Sequence, residues 1–402
     1  MSIIYPAEGQ YRISYEPLST LKKCIKLHDF EGVKKYFWHT AALLKVFILL
    51  GRTIYAGQTL NQPKRLAEIV ATYPVRFMAI TKIYMLYFDR NRVNYFYNTV
   101  TYEFWDFHIA GPELEKQIKR RFYVINFVVT CQFIAAMVVV TLFLIFPLVD
   151  MPEGKRPLPN IIWTPFDTDP SPLYEIIYVI MLWNLVLSVL GNAFYDVLFT
   201  YSLQHLFVQF MLLKKLIKNI TEGILEETTD YDKFNSEYFQ SKVYERFRIC
   251  AEHHAKLLKF GKNLKEFSSR ALLPQLIMSY AVLVINGYIL SIDHKDVMKT
   301  TGLLNLTGSC LVQLAVFSVQ GSAIKFQSLS LLDAIADSNW YLFRAPVKRA
   351  LTFMMMNCRK ALTVSAGGMA NVDNEILLQV VQKAFSAITL LRALTAEAEM
   401  KG

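Results

Sequence analysis

Long apolar segments recur along the chain and constrain its fold more than any other feature. Seven of them approach the roughly 20 residues that a helix needs to cross a hydrocarbon layer. They lie at about 38 to 57, 68 to 88, 122 to 148, 173 to 203, 271 to 292, 303 to 321 and 373 to 394. With 53% of its 402 residues hydrophobic, the chain is too apolar for an ordinary soluble domain. We therefore predict an all-α polytopic membrane protein with seven transmembrane helices.

Basic residues fall on alternate connections between these segments. Four stretches, namely 1 to 37, 89 to 121, 204 to 270 and 322 to 372, hold 30 of the 43 lysines and arginines. The opposite stretches hold eight, when Arg392 at the outer end of the last span is counted with them, and the other five lie inside the predicted spans. Because cytoplasmic loops carry the excess of basic residues, we expect an intracellular N-terminus and an extracellular C-terminus. That orientation is the reverse of a G-protein-coupled receptor.

The first two predicted spans contain charged residues, so their boundaries are the least defined. Lys45 and Arg52 lie in the first, and Arg76 and Lys82 lie in the second. Such side chains persist in a membrane when they face protein or water, or lie near a helix end. We expect each of them to have such an environment.

Several classes of function find no support in the sequence. The net charge of +10 is spread over the predicted cytoplasmic side without a nucleic-acid readout motif, so anionic membrane lipid is the expected partner and nucleic acid is not. Walker-type loops, HExxH and paired cysteines at metal-ligand spacing are missing from the sequence. We predict neither an enzyme nor a bound metal or other cofactor.

The long cytoplasmic stretch after the fourth span contains a heptad-like seam that predicts an aqueous helix. Its members are Val243, Phe247, Cys250, His254, Leu257, Gly261, Leu264 and Ser268. Two interpretations remain open. The seam packs on helices of its own chain, or it contributes to a bundle shared between subunits.

The last span carries one continuous stripe of polar and small residues. The stripe consists of Glu375, Gln379, Gln382, Ser386, Thr389 and Ala393, at steps of four and three. Beside it, one turn apart, lie Leu390 and Leu394. Lipid would penalise such a face, so it faces protein or water. Around an axis of several subunits the stripe would line a wetted pore with a leucine constriction. Periodicity alone favours the alternative, a helix buried within its own bundle.

Several blocks of sequence resemble the insect odorant receptor family. Residues 361 to 368, ALTVSAGG, and 373 to 392, DNEILLQVVQKAFSAITLLR, are similar to its Leu-Thr-Ala-Gly turn and its C-terminal ending. Residues 333 to 348 and 163 to 174 resemble its Trp-Tyr segment and second outer loop. The chain departs from the family at 367 to 370, where Gly-Gly-Met-Ala replaces Gly-Lys-Phe-Phe.

The resemblance implies an odorant-gated, non-selective cation channel, a heterotetramer with the olfactory co-receptor in the plasma membrane of olfactory sensory neurons. Its ligand would be a small volatile odorant and its permeant species cations. The resemblance also implies a division of the chain. Residues 1–203 form the N-terminal arm and transmembrane helices one to four, 204–270 a cytoplasmic anchor, and 271–321 helices five and six. Residues 322–372 form a cytoplasmic helix, over 328–357, and a turn, and residues 373–402 form the pore-lining helix.

The resemblance also carries residue roles. It assigns Leu390 and Leu394 to the gate, with Ala393, Ser386, Thr389 and Gln382 lining the pore. It places the odorant site in the outer halves of spans two, three, four and six. The candidate ligand-binding residues are Tyr73, Phe77, Met137, Thr141, Tyr178, Met181 and Gly308. A gustatory-type channel, a seven-helix receptor that signals through a cytosolic partner and a transporter are the alternative functions.

Overall fold

A computed structural model describes residues 33–58, 73–149, 158, 168, 170–292 and 297–401, and helices dominate it. In chain order they are α1 (Val33–Gln58), α2 (Tyr73–Phe88), α3 (Arg90–Asn98), α4 (Pro112–Val149), α5 (Leu173–Lys218), α6 (Asp230–Asn235), α7 (Glu237–Ile292), α8 (Val297–Leu329), α9 (Leu331–Ala336), α10 (Ala345–Cys358) and α11 (Asn374–Lys401). A π-helical turn (Thr99–Glu103) and two 3₁₀ turns (Phe107–Ala110 and Trp340–Leu342) join some of them. Strands β1 (Ser365–Ala366) and β2 (Ala370–Asn371) form a short antiparallel hairpin before α11. The predicted all-α architecture is confirmed.

Five helices of the described part are long and apolar enough to cross a membrane. The apolar segments are Pro112–Val138, Leu173–Lys218, Glu237–Ile292, Thr300–Ala336, which runs from α8 into α9, and Asn374–Glu397. These segments match predicted spans three to seven. The first two spans correspond to α1 and α2, although the start of the second, 68–72, lies outside the described residues. The count of seven and the orientation stay predictions.

Helices α5 and α7 are far longer than a bilayer is thick. They contain 46 and 56 residues, which at about 1.5 Å per residue gives roughly 70 and 85 Å. A hydrocarbon core measures about 30 Å. Both helices must therefore continue outside the membrane. By the predicted spans, those parts are residues 204–218 of α5 and 237–270 of α7.

The heptad-like seam of α7 packs within its own chain. All eight of its residues are buried, in a core that includes Phe210 and Leu213 of α5 and Leu351 of α10. Gly261 lies so close to Leu362 that a Cβ there would come 2.6 Å from its Cδ1. The interpretation of this seam as a subunit contact is therefore wrong, because its own chain already covers it.

The predicted cytoplasmic helix over 328–357 is instead broken into pieces. Helix α9 ends at Ala336, and the Ser338 hydroxyl then donates to the carbonyl of Ile335 at 2.7 Å. A 3₁₀ turn follows, and α10 begins with Pro346 in its first turn. Proline lacks the N–H that an uninterrupted helix needs, which explains the new start.

Candidate functional site: an apolar cavity and an uncovered helix face

Helix α11 packs on the bundle with one face and leaves the other uncovered in the single chain. Val380 and Ala384 are buried against Leu283 of α7 and Leu314 of α8. The side chains of Gln382, Ser386, Thr389 and Ala393 lie on the opposite, exposed face. Leu390 and Leu394 flank them and are 61% and 54% exposed.

The polar groups of the stripe bond within α11. Ser386 Oγ donates to the carbonyl of Gln382 at 3.1 Å, and Thr389 Oγ1 donates to the carbonyl of Ser386 at 2.8 Å. Gln379 Nε2 donates to Glu375 Oε1 at 3.2 Å. The sequence left open a stripe whose polar groups bond to neighbouring helices of the same bundle. These bonds instead stay within α11. Since hydrocarbon penalises polar surface, this face calls for water or another protein surface.

The start of α11 is fastened to α8. The Asp373 carboxylate accepts from the backbone N–H of Ile376 at 3.3 Å, as a helix cap, and from Lys325 Nζ at 3.2 Å. The Asn374 N–H donates to Ser322 Oγ at 2.9 Å. Gly321 lies against the Val372 carbonyl so closely that a Cβ would overlap its oxygen. Residues 321–325 of α8 therefore fix the position at which α11 begins.

An apolar cavity of about 190 Å³ lies between α1, α2 and α7. It is lined by Leu49, Tyr73, Pro74, Phe77, Met278 and Ile285. The hydroxyl of Tyr73 donates to Thr53 Oγ1 at 3.2 Å. The cavity brings together two of the seven predicted ligand-binding residues, Tyr73 and Phe77. It adds contacts from α1 and α7, which sequence patterning did not single out because Leu, Ile and Met are ordinary residues of such helices.

A second apolar space, of about 300 Å³, lies along the side of α4. It is lined by Phe133, Ile134, Met137, Val138 and Thr141, so it contains two further candidates. The Thr141 hydroxyl donates to the Met137 carbonyl of its own helix at 3.0 Å. The space is open at the side of the bundle, since Phe133, Ile134 and Val138 are exposed.

The remaining three candidates line neither space. The Tyr178 ring packs on Tyr174 with centroids 5.9 Å apart, and Met181 is buried in the bundle. Gly308 faces open space, because a Cβ there would meet nothing within 4 Å. The structure thus gathers the seven candidates into two pairs and three separate positions. Their role in binding stays a prediction.

A buried polar network joins four helices, two of which also line the first cavity. Lys82 Nζ of α2 lies 2.7 Å from Asp196 Oδ1 of α5, and Gln313 of α8 donates to the other carboxylate oxygen. Gln275 Nε2 of α7 donates to Gln313 Oε1 at 2.7 Å. The charge of Lys82 predicted a polar environment, which is confirmed. Its partner Asp196 was missed, because a lone acidic residue in a strongly apolar span gives no periodic signal.

These features define a polytopic α-helical membrane protein with a small apolar cavity and an uncovered polar face on its last helix. The profile of the 7tm odorant receptor family matches residues 68–385. The chain belongs to that family, whose members are receptors rather than enzymes.

Individual relatives agree with this assignment. The chain is 23% identical to odorant receptor 82a of Drosophila melanogaster, over 60% of this chain and 58% of that one. It is 22% identical to odorant receptor Or1 of Anopheles gambiae, over 61% and 62%. The chain therefore spans about three fifths of the length of these curated relatives.

Solved structures share the fold. The olfactory receptor OR5 of the insect Machilis hrabei superposes with a TM-score of 0.76 at 11% identity, covering 95% of this chain and 93% of that one. Its complex with eugenol gives 0.77, covering 94% and 97%. At this identity the likeness establishes the architecture of the helices and not the chemistry of the site.

Proposed function

We propose that this chain is the odorant-binding subunit of a heteromeric, odorant-gated, non-selective cation channel in the plasma membrane of olfactory sensory neurons. The observation that carries the proposal is the uncovered polar face of α11. A monomeric receptor would leave that face against lipid, at a cost for each polar group. A ring of subunits, this chain together with the olfactory co-receptor, would place it on a water-filled axis.

The residues of α11 suit a gated pore. Gln382, Ser386 and Thr389 would offer polar atoms to hydrated cations, with Ala393 beside them. Leu390 and Leu394 would form apolar rings one turn apart, and such a constriction stops ions by dewetting. Opening would then need the rings to widen, which a displacement of α11 supplies.

The first cavity suits a small volatile ligand. Its volume of about 190 Å³ falls below the roughly 300–1,000 Å³ of sites for drug-sized molecules. Its walls are aliphatic, aromatic and thioether groups. Met278 can repack around different shapes, which favours recognition by fit. The other predicted positions, from Met137 to Gly308, would contact ligand only after the helices move.

The cytoplasmic anchor would use surfaces other than the buried seam of α7. Aromatic and thioether side chains remain exposed on α7 and α10, at Tyr238, Tyr244, Phe353 and Met356. Exposed apolar groups that cluster on one part of a protein mark contact surfaces. We assign these residues to contacts between subunits.

The test is co-expression of the full chain with an insect olfactory co-receptor in cells that lack odorant receptors. Whole-cell current is recorded during pulses of a panel of volatile alcohols, esters, aldehydes, terpenes and phenols. Eugenol belongs in the panel because it is bound in the OR5 complex. We expect at least one volatile to evoke a cation current within milliseconds, without added nucleotide. A current abolished by blocking G proteins would contradict the proposal, and cells with the co-receptor alone are the control.

A further inference from the structure

The Lys82–Asp196 network and the first cavity share two helices, α2 and α7. Helix α2 lines the cavity with Phe77 and carries Lys82 five residues later. Helix α7 lines it with Met278 and carries Gln275 three residues earlier. A small apolar cluster of Met78, Val282 and Cys310 packs between α2, α7 and α8 at the same level. Displacement of either cavity wall therefore moves a member of the network.

Helix α8 touches the ion pair at two points. The Gln313 amide donates to Asp196, and the ring of Phe317, one turn further, lies 5.7 Å from Lys82 Nζ. The ammonium is also 5.6 Å from the ring of Tyr195. The side chain of Lys82 is only 1% exposed. In a low dielectric, separating a buried charge from its partner is costly. A movement of the ion pair is therefore expected to move α8 with it.

The same helix then fixes the start of α11. Gly321, Ser322 and Lys325 come two to three turns after Gln313, and they contact Val372, Asn374 and Asp373. The physical connection is continuous. It runs from the cavity wall through the ion pair to α8, and from α8 to the helix that carries Leu390 and Leu394.

We propose that Lys82, Asp196 and Gln313 are positioning residues that couple occupation of the apolar cavity to the placement of α11. This inference rests on the proposed function. The network has no contact with ligand in this role; it acts through α8. Because packed helices switch between discrete arrangements, a displaced ion pair shifts the closed-to-open equilibrium and not the affinity of the cavity itself.

The test uses the full chain with the co-receptor and the panel volatile that gives the largest current. Lys82→Met, Asp196→Asn and Gln313→Leu are compared with the parent chain for half-maximal concentration, maximal current and resting current. We expect each variant to shift the half-maximal concentration by about 5- to 150-fold, the usual range of coupling between sites, and to change the resting current. Lys82→Arg with Asp196→Glu keeps the pair and should restore parental values.

Surface labelling separates this effect from failed folding, and currents are compared per surface receptor. Gln313→Leu retains the ion pair and is the variant expected to fold most readily. Thr81→Val is the matched control on α2, since its hydroxyl donates to Met78 of the same helix.

Variants that reach the surface with parental half-maximal concentration and resting current overturn this inference while leaving the proposed function intact. A parent chain that reaches the surface and responds to no volatile overturns the proposed function, and the inference falls with it. A uniform fall in current that matches a fall in surface receptor assigns the network to folding and also overturns the inference.

Discussion

The ammonium nitrogen of Lys82 lies 2.7 Å from Oδ1 of Asp196, which joins α2 to α5 inside the membrane-spanning part of the bundle. The two side chains are 1% and 15% exposed. Each charge alone would be costly in this environment, whereas the pair and the Gln313 amide satisfy one another. Removing one charge of the pair should therefore destabilise the fold more than removing both.

Lys82→Met alone should lower the free energy of unfolding by about 3–5 kcal/mol, because it leaves Asp196 buried without its counter-charge. Lys82→Met combined with Asp196→Leu should recover most of that loss, because neither charge then needs a partner. Thermal unfolding of the detergent-purified protein, followed by size-exclusion chromatography, measures both. Equal destabilisation of the single and double variants would contradict this expectation.

Gly321→Ala should displace the hairpin that leads into α11, since the new methyl group meets the Val372 carbonyl. Overpacking of this kind costs about 1–3 kcal/mol. Gly302→Ala, on the same helix but facing open space, is the matched control. We expect a lower unfolding temperature and an altered resting current for Gly321→Ala alone. If the unfolding temperature and the resting current both keep their parental values, the contact between residue 321 and the Val372 carbonyl relaxes at little cost.

Leu390→Ala and Leu394→Ala should each raise the resting current or change ion selectivity, because a smaller side chain widens the constriction. Leu378→Ala removes an equally exposed leucine from the other flank of the stripe on α11 and serves as the control. Permeability ratios from reversal potentials give the measurement. Unaltered permeation in both gate variants would argue that this flank of α11 does not line a pore.

Phe77→Ala and Met278→Ala should each weaken the response to the best volatile by about tenfold or more, which corresponds to about 1.4 kcal/mol of lost apolar contact. Phe88→Ala, an exposed phenylalanine of the same helix as Phe77, is the control. Concentration–response curves measure the effect. If Met137→Ala weakens the response and the first two do not, the ligand lies along α4 instead.

The core packed around the N-terminal half of α7, outside the predicted span, should lose stability in mild acid. Burial lowers the pKa of His254 to about 4, and its Nε2 lies 3.7 Å from Cys358 Sγ, whose pKa burial raises to about 12. An unfolded histidine has a pKa near 6.5, so the unfolded state binds more protons between about pH 4 and 6.5.

The contribution of His254 is therefore fully present above about pH 6.5 and falls, by about 3 kcal/mol in all, as the pH drops to about 4. Burial also lowers the pKa of His253, which acts in the same direction. His254→Gln should flatten the dependence of the unfolding temperature on pH between 7 and 5. A parental slope in His254→Gln would contradict the assignment.

Features that depend on one helix could be predicted from the sequence. Apolar run length predicted the membrane helices of the strong spans, and the steps of four and three placed Gln382, Ser386 and Thr389 on one face. The seam from Val243 to Ser268 was likewise predicted as a single buried face. Each of these follows from the period of the α-helix, which local sequence reveals directly.

Features that join helices distant in sequence were decided by the tertiary structure alone. Lys82 and Asp196 are 114 residues apart, and the cavity draws Leu49, Phe77 and Met278 from three helices. Whether the seam of α7 faced its own chain or another depended on what α5 and α10 had already covered. Periodicity fixes the direction of a side chain around its own helix, but its neighbour is set by how the helices pack, and that depends on the shape and charge of every surface at once.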